Sequence, residues 1–309
     1  MKIYKPKFWD YKKFTIWPYV LYPFSIIVNL YNGLKFKYSK AEKFSIPIIT
    51  VGNIYLGGTG KTPLCIEIFK ILKSLNANPA FVKKNYKKFQ DENRLLENIG
   101  NLFLEKTRSR AINSLINSKF NIAILDDGFQ DPKIKSDISI VCFNENQWIG
   151  NGFVMPSGPL REKLVALKRC KYVFINGNNN LKIEKIINEF NPQIKFFYTK
   201  YKLMNLNDLK NKKVLAFAGI GNPENFFNLL KNNNIEIVET LNFPDHYIFK
   251  KKDILDLNNR AHKLNACLVT TEKNYFGLND ENKKNINFLK IELIINKKEE
   301  FISDLKKVL

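Results

Sequence analysis

Strands that alternate with helices along nearly the whole chain predict an α/β fold. The expected architecture is a doubly wound, mostly parallel sheet with a second, smaller α/β domain and an N-terminal membrane-associating helical segment. Three observations carry this. A short β-branched run, Ile46-Pro-Ile-Ile-Thr-Val51, leads into a glycine-rich turn and then into an apolar run at helical spacing. Similar β-branched runs recur along the chain, separated by helix-period stretches. Phe14 to Leu34 carries no charged residue and is rich in aromatic side chains. The expected divisions are 1–40 for the interfacial segment, 41–204 for the core and 205–309 for the smaller domain, with a polar stretch, Asn205 to Lys213, at the boundary.

The organising stretch is Val51-Gly-Asn-Ile-Tyr-Leu-Gly-Gly-Thr-Gly-Lys-Thr-Pro63. Glycines let backbone N–H groups close around phosphate oxygens, and the following helix adds partial positive charge at its N-terminus. The core is therefore expected to be P-loop NTPase-like. Gly57, Gly58, Thr59, Gly60, Lys61 and Thr62 are the nucleotide-binding residues, with nucleotide phosphates and Mg²⁺ as the implied ligands. Lys61 would reach the β- and γ-phosphates, and the Thr62 hydroxyl would sit on Mg²⁺. The strict pattern wants glycine at position 55; this chain has Tyr55, and its earlier glycine is Gly52.

Taken in order, the N-terminal segment is flanked by Lys12 and Lys13 before and by Lys35 and Lys37 after. Pro18 and Pro23 are expected to break it, and no small-residue cleavage site follows. It is read as an interfacial segment on an anionic leaflet, with a buried helix and a true span as the other readings. After the loop and the helix from Leu64 comes a strand, Pro79 to Lys84, and then a polar, loop-like stretch, Asn85 to Glu92. Leu95 to Ser118 reads as mostly helical, with a short strand near Leu102 to Leu104. Asn121-Ile-Ala-Ile-Leu-Asp-Asp-Gly-Phe-Gln130 is an apolar strand ending in two carboxylates, which suits a Mg²⁺ ligand beside the phosphates; either Asp126 or Asp127 fits.

Strands follow at Asp137 to Phe143 and Lys171 to Asn176. Between them, Met155-Pro-Ser-Gly-Pro-Leu-Arg-Glu-Lys163 is a loop whose Arg161 could clamp a phosphate. A helix from Leu181 and a strand, Ile194 to Tyr201, complete the core. The second unit reads as strand Val214 to Ala218, helix Glu224 to Asn232, strand Ile235 to Phe243, helix Lys251 to Leu264, strand Ala266 to Thr271, strand Ile286 to Ile295 and helix Lys298 to Val308.

The 50 Lys and Arg against 29 Asp and Glu give a net charge of +21, which implies an anionic partner. The four cysteines form no Cys-x-x-Cys pair, so neither a zinc site nor a disulfide framework is suggested, and a reducing cytoplasm fits. Of the two histidines, His262 sits in a helical pattern and reads as structural. His246 follows Asp245 at a strand end, where sites on α/β sheets form.

Together these segments resemble the lipid A 4′-kinase (tetraacyldisaccharide 4′-kinase) family over nearly the whole chain. The resemblance is carried by the N-terminal aromatic segment, Val51-Gly-Asn through Pro63, Asp126-Asp-Gly-Phe-Gln130 and Pro156-Ser-Gly-Pro-Leu-Arg-Glu162. It continues through Gly219-Ile-Gly-Asn-Pro223, Phe243-Pro-Asp-His246 and Thr270-Thr-Glu-Lys273. It implies ATP-dependent phosphorylation of the 4′-hydroxyl of an acylated glucosamine disaccharide 1-phosphate by a monomer. The implied location is peripheral, on the cytoplasmic face of the inner membrane. It also implies Lys61, Asp91 and His246 as catalytic residues, the last two as carboxylate and imidazole acting on the sugar hydroxyl. Asn53, Gln130, Arg161 and Glu162 are implied on the substrate side, and Thr62 with Asp126 or Asp127 on the metal.

Departures stand beside the matches. The family's Ser-Arg-Gly-Tyr-Gly is Lys83-Lys-Asn-Tyr-Lys87 here, its Gly-Asp-Glu-Pro is Gln90-Asp-Glu-Asn93, a histidine is replaced by Asp131, and an acid by Asn274. The alternative is a membrane-associated regulatory P-loop ATPase of the partitioning type. That class carries a lysine before the glycine pair, where this chain has Leu56. The base-reading element of a GTPase is absent, and no common nucleic-acid-binding signature appears, so no nucleic-acid partner is expected.

Overall fold

The computed structural model describes residues 5–11, 14–86 and 89–309. Lys12 and Lys13, expected to flank the aromatic segment, and Lys87 lie outside the described residues. Contacts divide the chain into two compact units. Among the described residues, the larger comprises Lys5–Asn85, Asn101–Lys200 and Leu293–Leu309, and the smaller comprises Tyr86–Gly100 and Tyr201–Glu292. The sequence expectation placed divisions at 40/41 and 204/205. The compact units exchange two segments across the second, one around Asp91 and one at the C-terminus.

The larger unit begins with helix α1 (Trp17–Tyr38) and strand β1 (Ile48–Gly52), every residue of which is buried. Helix α2 (Lys61–Ser74) and strand β2 (Pro79–Lys84) follow. Helix α3 (Gln90–Ile99) belongs to the smaller unit. The chain resumes with β3 (Leu102–Glu105), α4 (Arg108–Asn117), β4 (Ile122–Asp126), β5 (Ile138–Asn144), β6 (Tyr172–Asn176), α5 (Leu181–Asn188) and β7 (Lys195–Leu203).

The smaller unit adds β8 (Lys213–Ala218), α6 (Pro223–Asn232), β9 (Glu236–Asn242) and α7 (Lys251–Lys263). It continues with β10 (Cys267–Thr271), α8 (Glu272–Gly277) and β11 (Ile286–Leu289). Strand β12 (Ile291–Ile295) and helix α9 (Lys298–Lys306) end the chain.

Eight strands form one sheet in the order β12-β7-β6-β5-β1-β4-β2-β3, and four form a second in the order β11-β10-β8-β9. From β7 to β3, and throughout the second sheet, neighbouring strands pair in parallel. The larger sheet is wound on both faces. Alternate residues of a strand point to opposite sides: Ala80 and Val82 of β2 join a core with Ala111, Ile112 and Leu115 of α4, whereas Phe81 stacks at 4.8 Å on Phe69 of α2. A further core joins Val141, Phe143, Val173 and Ile175 to Ile183 and Ile187 of α5. Because β1 lies between β4 and β5, the chain switches direction across the sheet at its carboxyl end, the place where such sheets bind ligands.

Two expectations are corrected. The prolines do not break the N-terminal segment. Pro18 occupies the first turn of α1, where its missing N–H leaves no bond unmade, and the helix continues through the solvent-exposed Pro23. The single expected strand from Ile286 to Ile295 is two strands in different sheets, β11 and β12, with Lys290 between them. Alternating hydrophobicity reports burial, and both strands are half-buried, so the pattern runs on across the break.

Helix α1 buries its polar side and exposes its apolar one. Ser25 Oγ donates to the Val154 carbonyl at 2.7 Å and takes the Ser157 N–H at 3.2 Å, and Asn32 Nδ2 donates to the Arg161 carbonyl at 3.0 Å. Trp17, Tyr19, Val20, Phe24, Ile26, Ile27, Leu30, Tyr31 and Leu34 stand exposed. No helix among the described residues is long and apolar enough to cross a membrane.

Candidate active site

The glycine-rich turn between β1 and α2 keeps the shape an anion cradle needs. Gly60, at φ 90°, caps α2 in the left-handed region, and Gly57 sits at φ 146°. Asn53, fully buried, spans the turn, donating from Nδ2 to the Gly57 carbonyl at 3.2 Å and to Thr59 Oγ1 at 3.0 Å. Among the described residues, no backbone carbonyl outside the helix takes the N–H groups of Gly57 to Thr62. Gly58 is exposed at the crest.

The departure at position 55 has a structural reason. Tyr55 is fully buried against Val154 and Leu160. The backbone beside it is fastened to the Pro-Ser-Gly-Pro-Leu-Arg loop: Leu56 N–H donates to the Pro159 carbonyl at 2.8 Å, and Arg161 N–H to the Ile54 carbonyl at 2.7 Å. The glycine that matters here is Gly52, where a Cβ would overlap the Cβ of Phe129.

The two neighbouring acids divide into separate roles. Asp126 ends β4 fully buried. Its Oδ2 accepts from Thr62 Oγ1 at 3.1 Å and from the Lys83 ammonium at 2.8 Å. Asp127, in the left-handed region at φ 58°, turns the other way. Arg161 Nη1 reaches its two carboxylate oxygens at 2.8 and 3.0 Å, and Lys61 Nζ lies 3.8 Å from Oδ1. Burial raises the Asp127 pKa, but Lys61 and Arg161 outweigh it and hold the carboxyl at about 2. Arg108 fixes the turn by donating to the Asp127 carbonyl at 2.7 Å and pairing with Asp131 at 3.2 Å, which gives the departure at 131 a supporting place.

Gln130 donates from Nε2 to the Asn53 carbonyl at 2.7 Å and lies 3.3 Å from Arg161 Nη1. Glu162 pairs with Arg169 at 2.7 Å, and that guanidinium lies over the rings of Phe36 and Phe129. Thr62 and Asp126 fit a Mg²⁺ ion: a hydroxyl and a carboxylate oxygen stand side by side, the hard-oxygen set that such an ion combines with phosphate oxygens and water. Among the described residues, no cluster of three or more histidine, cysteine or acidic side chains could hold a metal without phosphate.

The smaller unit holds the other expected residues. Asp91 lies in the first turn of α3 rather than in a loop, and His246 sits at φ 59° after β9. The imidazole Nδ1 lies 3.0 and 3.2 Å from the Asp91 carboxylate oxygens, and the Phe89 ring packs at 4.4 Å. Burial raises the Asp91 pKa, but the bond to His246 and the nearby Lys273 lower it further, so the carboxyl is held below its ordinary range. An ionised Asp91 makes Nδ1 the donor; in the neutral ring Nε2 is then the acceptor.

Lys273 ties the acids together, at 3.1 Å from Glu92, 3.3 Å from Asp245 and 3.5 Å from Asp91. Burial alone would lower its pKa, but the three carboxylates raise it well above the usual lysine range. Gly277 lets α8 approach α3, since a Cβ there would come within 2.9 Å of the Asp91 Cβ. Asn274, in the place of the family's acid, accepts from the Gly219 N–H at 2.9 Å and donates to its carbonyl at 3.2 Å. A carboxylate could make only the first bond.

Lys83, Arg108 and Lys273 were not singled out from the sequence. Lys83 has only a positional signal, at the end of β2 beside β4, whereas Lys273 closes the Thr270-Thr-Glu-Lys273 motif and follows β10 at the carboxyl edge of its sheet.

Fold and site define a parallel α/β protein of the phosphate-loop type. The family described as tetraacyldisaccharide-1-P 4′-kinase matches residues 17–309, and the chain belongs to that family. It is 44% identical over 311 residues to the tetraacyldisaccharide 4′-kinase of Pelagibacter ubique (strain HTCC1062), covering 100% of this chain and 99% of the relative. It is 34% identical over 315 residues to the enzyme of the same name from Rickettsia canadensis (strain McKiel), covering 96% and 94%. Among solved structures, LpxK from Aquifex aeolicus, crystallised with ATP, superposes with a TM-score of 0.69 at 21% identity, covering 94% of this chain and 99% of that one. The regulatory-ATPase alternative is not favoured.

Proposed function

We propose that the chain transfers the γ-phosphoryl group of ATP to the 4′-hydroxyl of a tetraacylated glucosamine disaccharide 1-phosphate, acting as a monomer on the cytoplasmic face of the inner membrane. The observation that carries the mechanism is the glycine-rich turn capping α2, with Lys61, Thr62 and Asp126 around it. Phosphoryl transfer needs positioning and charge neutralisation more than covalent chemistry.

In this reading the amides from Gly57 to Thr62 hold the β- and γ-phosphates, and Lys61 neutralises charge on the group in transit. Thr62 and Asp126 hold Mg²⁺, which when bound neutralises the phosphate oxygens and leaving group. Asp127 keeps Lys61 and Arg161 in place, and Arg161 is available to an anionic group of the acceptor. Asn53 and Gln130 fix the turn. Glu162 acts through Arg169 rather than on substrate. In the smaller unit, His246 Nε2 accepts the proton of the acceptor hydroxyl while Asp91 holds Nδ1. The core thus serves the nucleotide and the smaller domain the acceptor. The exposed apolar side of α1 and the +21 charge suit attachment to an anionic leaflet without spanning it.

Incubation with labelled ATP, Mg²⁺ and the disaccharide lipid tests the reading: label should appear at the 4′ position. ATP hydrolysis without labelled lipid would point to the regulatory class.

A further inference from the structure

One charged group at the phosphate site has no part in the reaction just described. The Lys83 ammonium is 2.8 Å from Asp126 Oδ2, the same oxygen that takes the Thr62 hydroxyl at 3.1 Å. Lys83 and Asp126 are 5% and 1% exposed at their side chains, so both charges are withdrawn from water. The sheet itself brings them together: β2 and β4 are neighbours, and Lys83 stands one residue past Val82, which pairs with Leu125. A buried carboxylate without a cation is strongly unfavourable. Yet a divalent ion at Thr62 and Asp126 would need the oxygen that Lys83 holds.

We propose that Lys83 is a positioning residue, the resident cation of Asp126. It neutralises and orients that carboxylate until a divalent ion arrives with nucleotide, and metal binding displaces it. This rests on the reading of Thr62 and Asp126 as the metal-side pair. The nucleotide phosphates supply both the further oxygens that the ion needs and acceptors for the displaced ammonium. Mg²⁺ and nucleotide therefore bind as a linked pair, with Mg²⁺ alone unable to compete. Replacing Lys83 by a neutral side chain removes the competitor and uncouples the two.

The test follows thermal unfolding of the full chain against MgCl₂, with and without a non-hydrolysable ATP analogue, for wild type, Lys83→Met and Lys83→Arg. The half-saturating Mg²⁺ for phosphoryl transfer is measured alongside. Wild type and Lys83→Arg should respond to Mg²⁺ only when the analogue is present. Lys83→Met should melt lower without metal and rise with Mg²⁺ alone, because a ligand that binds only the folded state stabilises it. Its half-saturating Mg²⁺ should fall about tenfold, as expected when a competing resting state is removed. Lys83→Gln carries the same test if Lys83→Met is recovered only as aggregate. Identical Mg²⁺ dependence in wild type and the neutral variants would overturn the role of Lys83 alone. If wild type ignores Mg²⁺ even with the analogue present, the Thr62–Asp126 reading fails and this inference fails with it.

Discussion

His246 has Nδ1 committed to Asp91, while Glu92 and Asp245 stand 3.8 and 3.7 Å from Nε2, within ion-pair range but beyond a direct hydrogen bond. Replacing it by alanine removes the proposed proton acceptor. Turnover of His246→Ala should fall by roughly 10²–10⁴, the usual worth of a general base, while nucleotide affinity measured by fluorescence titration stays unchanged. Equal turnover would take His246 out of the mechanism. Asp91 gives a pH signature. Its folded pKa is depressed, so its stabilising contribution is complete above the ordinary carboxylate value of about 3.9 and is lost as pH falls through the depressed one. The raised pKa of Lys273 keeps that partner charged past the usual lysine range. The stability difference between wild type and Asp91→Asn should therefore shrink as pH falls below about 4. A difference that grows on acidification would contradict the ion-pair account.

At the scale of elements, the strand–turn–helix around Lys61 and the strand ending in Asp126-Asp127 are legible because local chemistry dictates them: β-branched runs, glycines where φ is positive, and acids at a strand end. What sequence does not carry is which neighbours an element finds. A helix between β2 and β3 reads as an ordinary crossover, yet α3 joins the smaller unit and brings Asp91 to His246. The choice between Asp126 and Asp127 was equally invisible, because it turns on the left-handed backbone at Asp127. The Lys83 contact needs the register of β2 on β4. Gly52 shows how tightly these elements meet. Gly52→Ala would force β1 away from Phe129, and overpacking of this kind costs about 1–3 kcal/mol. Its melting temperature should drop and its nucleotide affinity should fall with it. A variant as stable as wild type would mean the strand end has room to spare.

Over the whole molecule, the positive charge and the exposed face of α1 belong together. In the proposed attachment, long-range attraction would draw the protein to an anionic surface, and the aromatic and aliphatic side chains would hold it there. Ile27→Glu with Leu30→Glu places charge on that face while leaving the buried contacts of Ser25 and Asn32 intact. The double variant should lose sedimentation with anionic vesicles, as should a chain lacking the residues before Lys35. Residual binding of wild type should weaken as salt rises, since the screening length falls to about 8 Å at physiological ionic strength. Undiminished binding by the double variant would place the attachment elsewhere.

The central claim is that one glycine-rich turn and the ammonium of Lys61 hand a phosphate to a sugar hydroxyl. It is tested most directly by following the γ-phosphate of labelled ATP onto the disaccharide lipid with wild type and Lys61→Ala, each with a melting curve. Because Arg161 still holds Asp127 when Lys61 is gone, Lys61→Ala should melt as wild type does while transferring no label. Transfer at the wild-type rate by a folded Lys61→Ala, or no labelled lipid from wild type itself, would contradict the account.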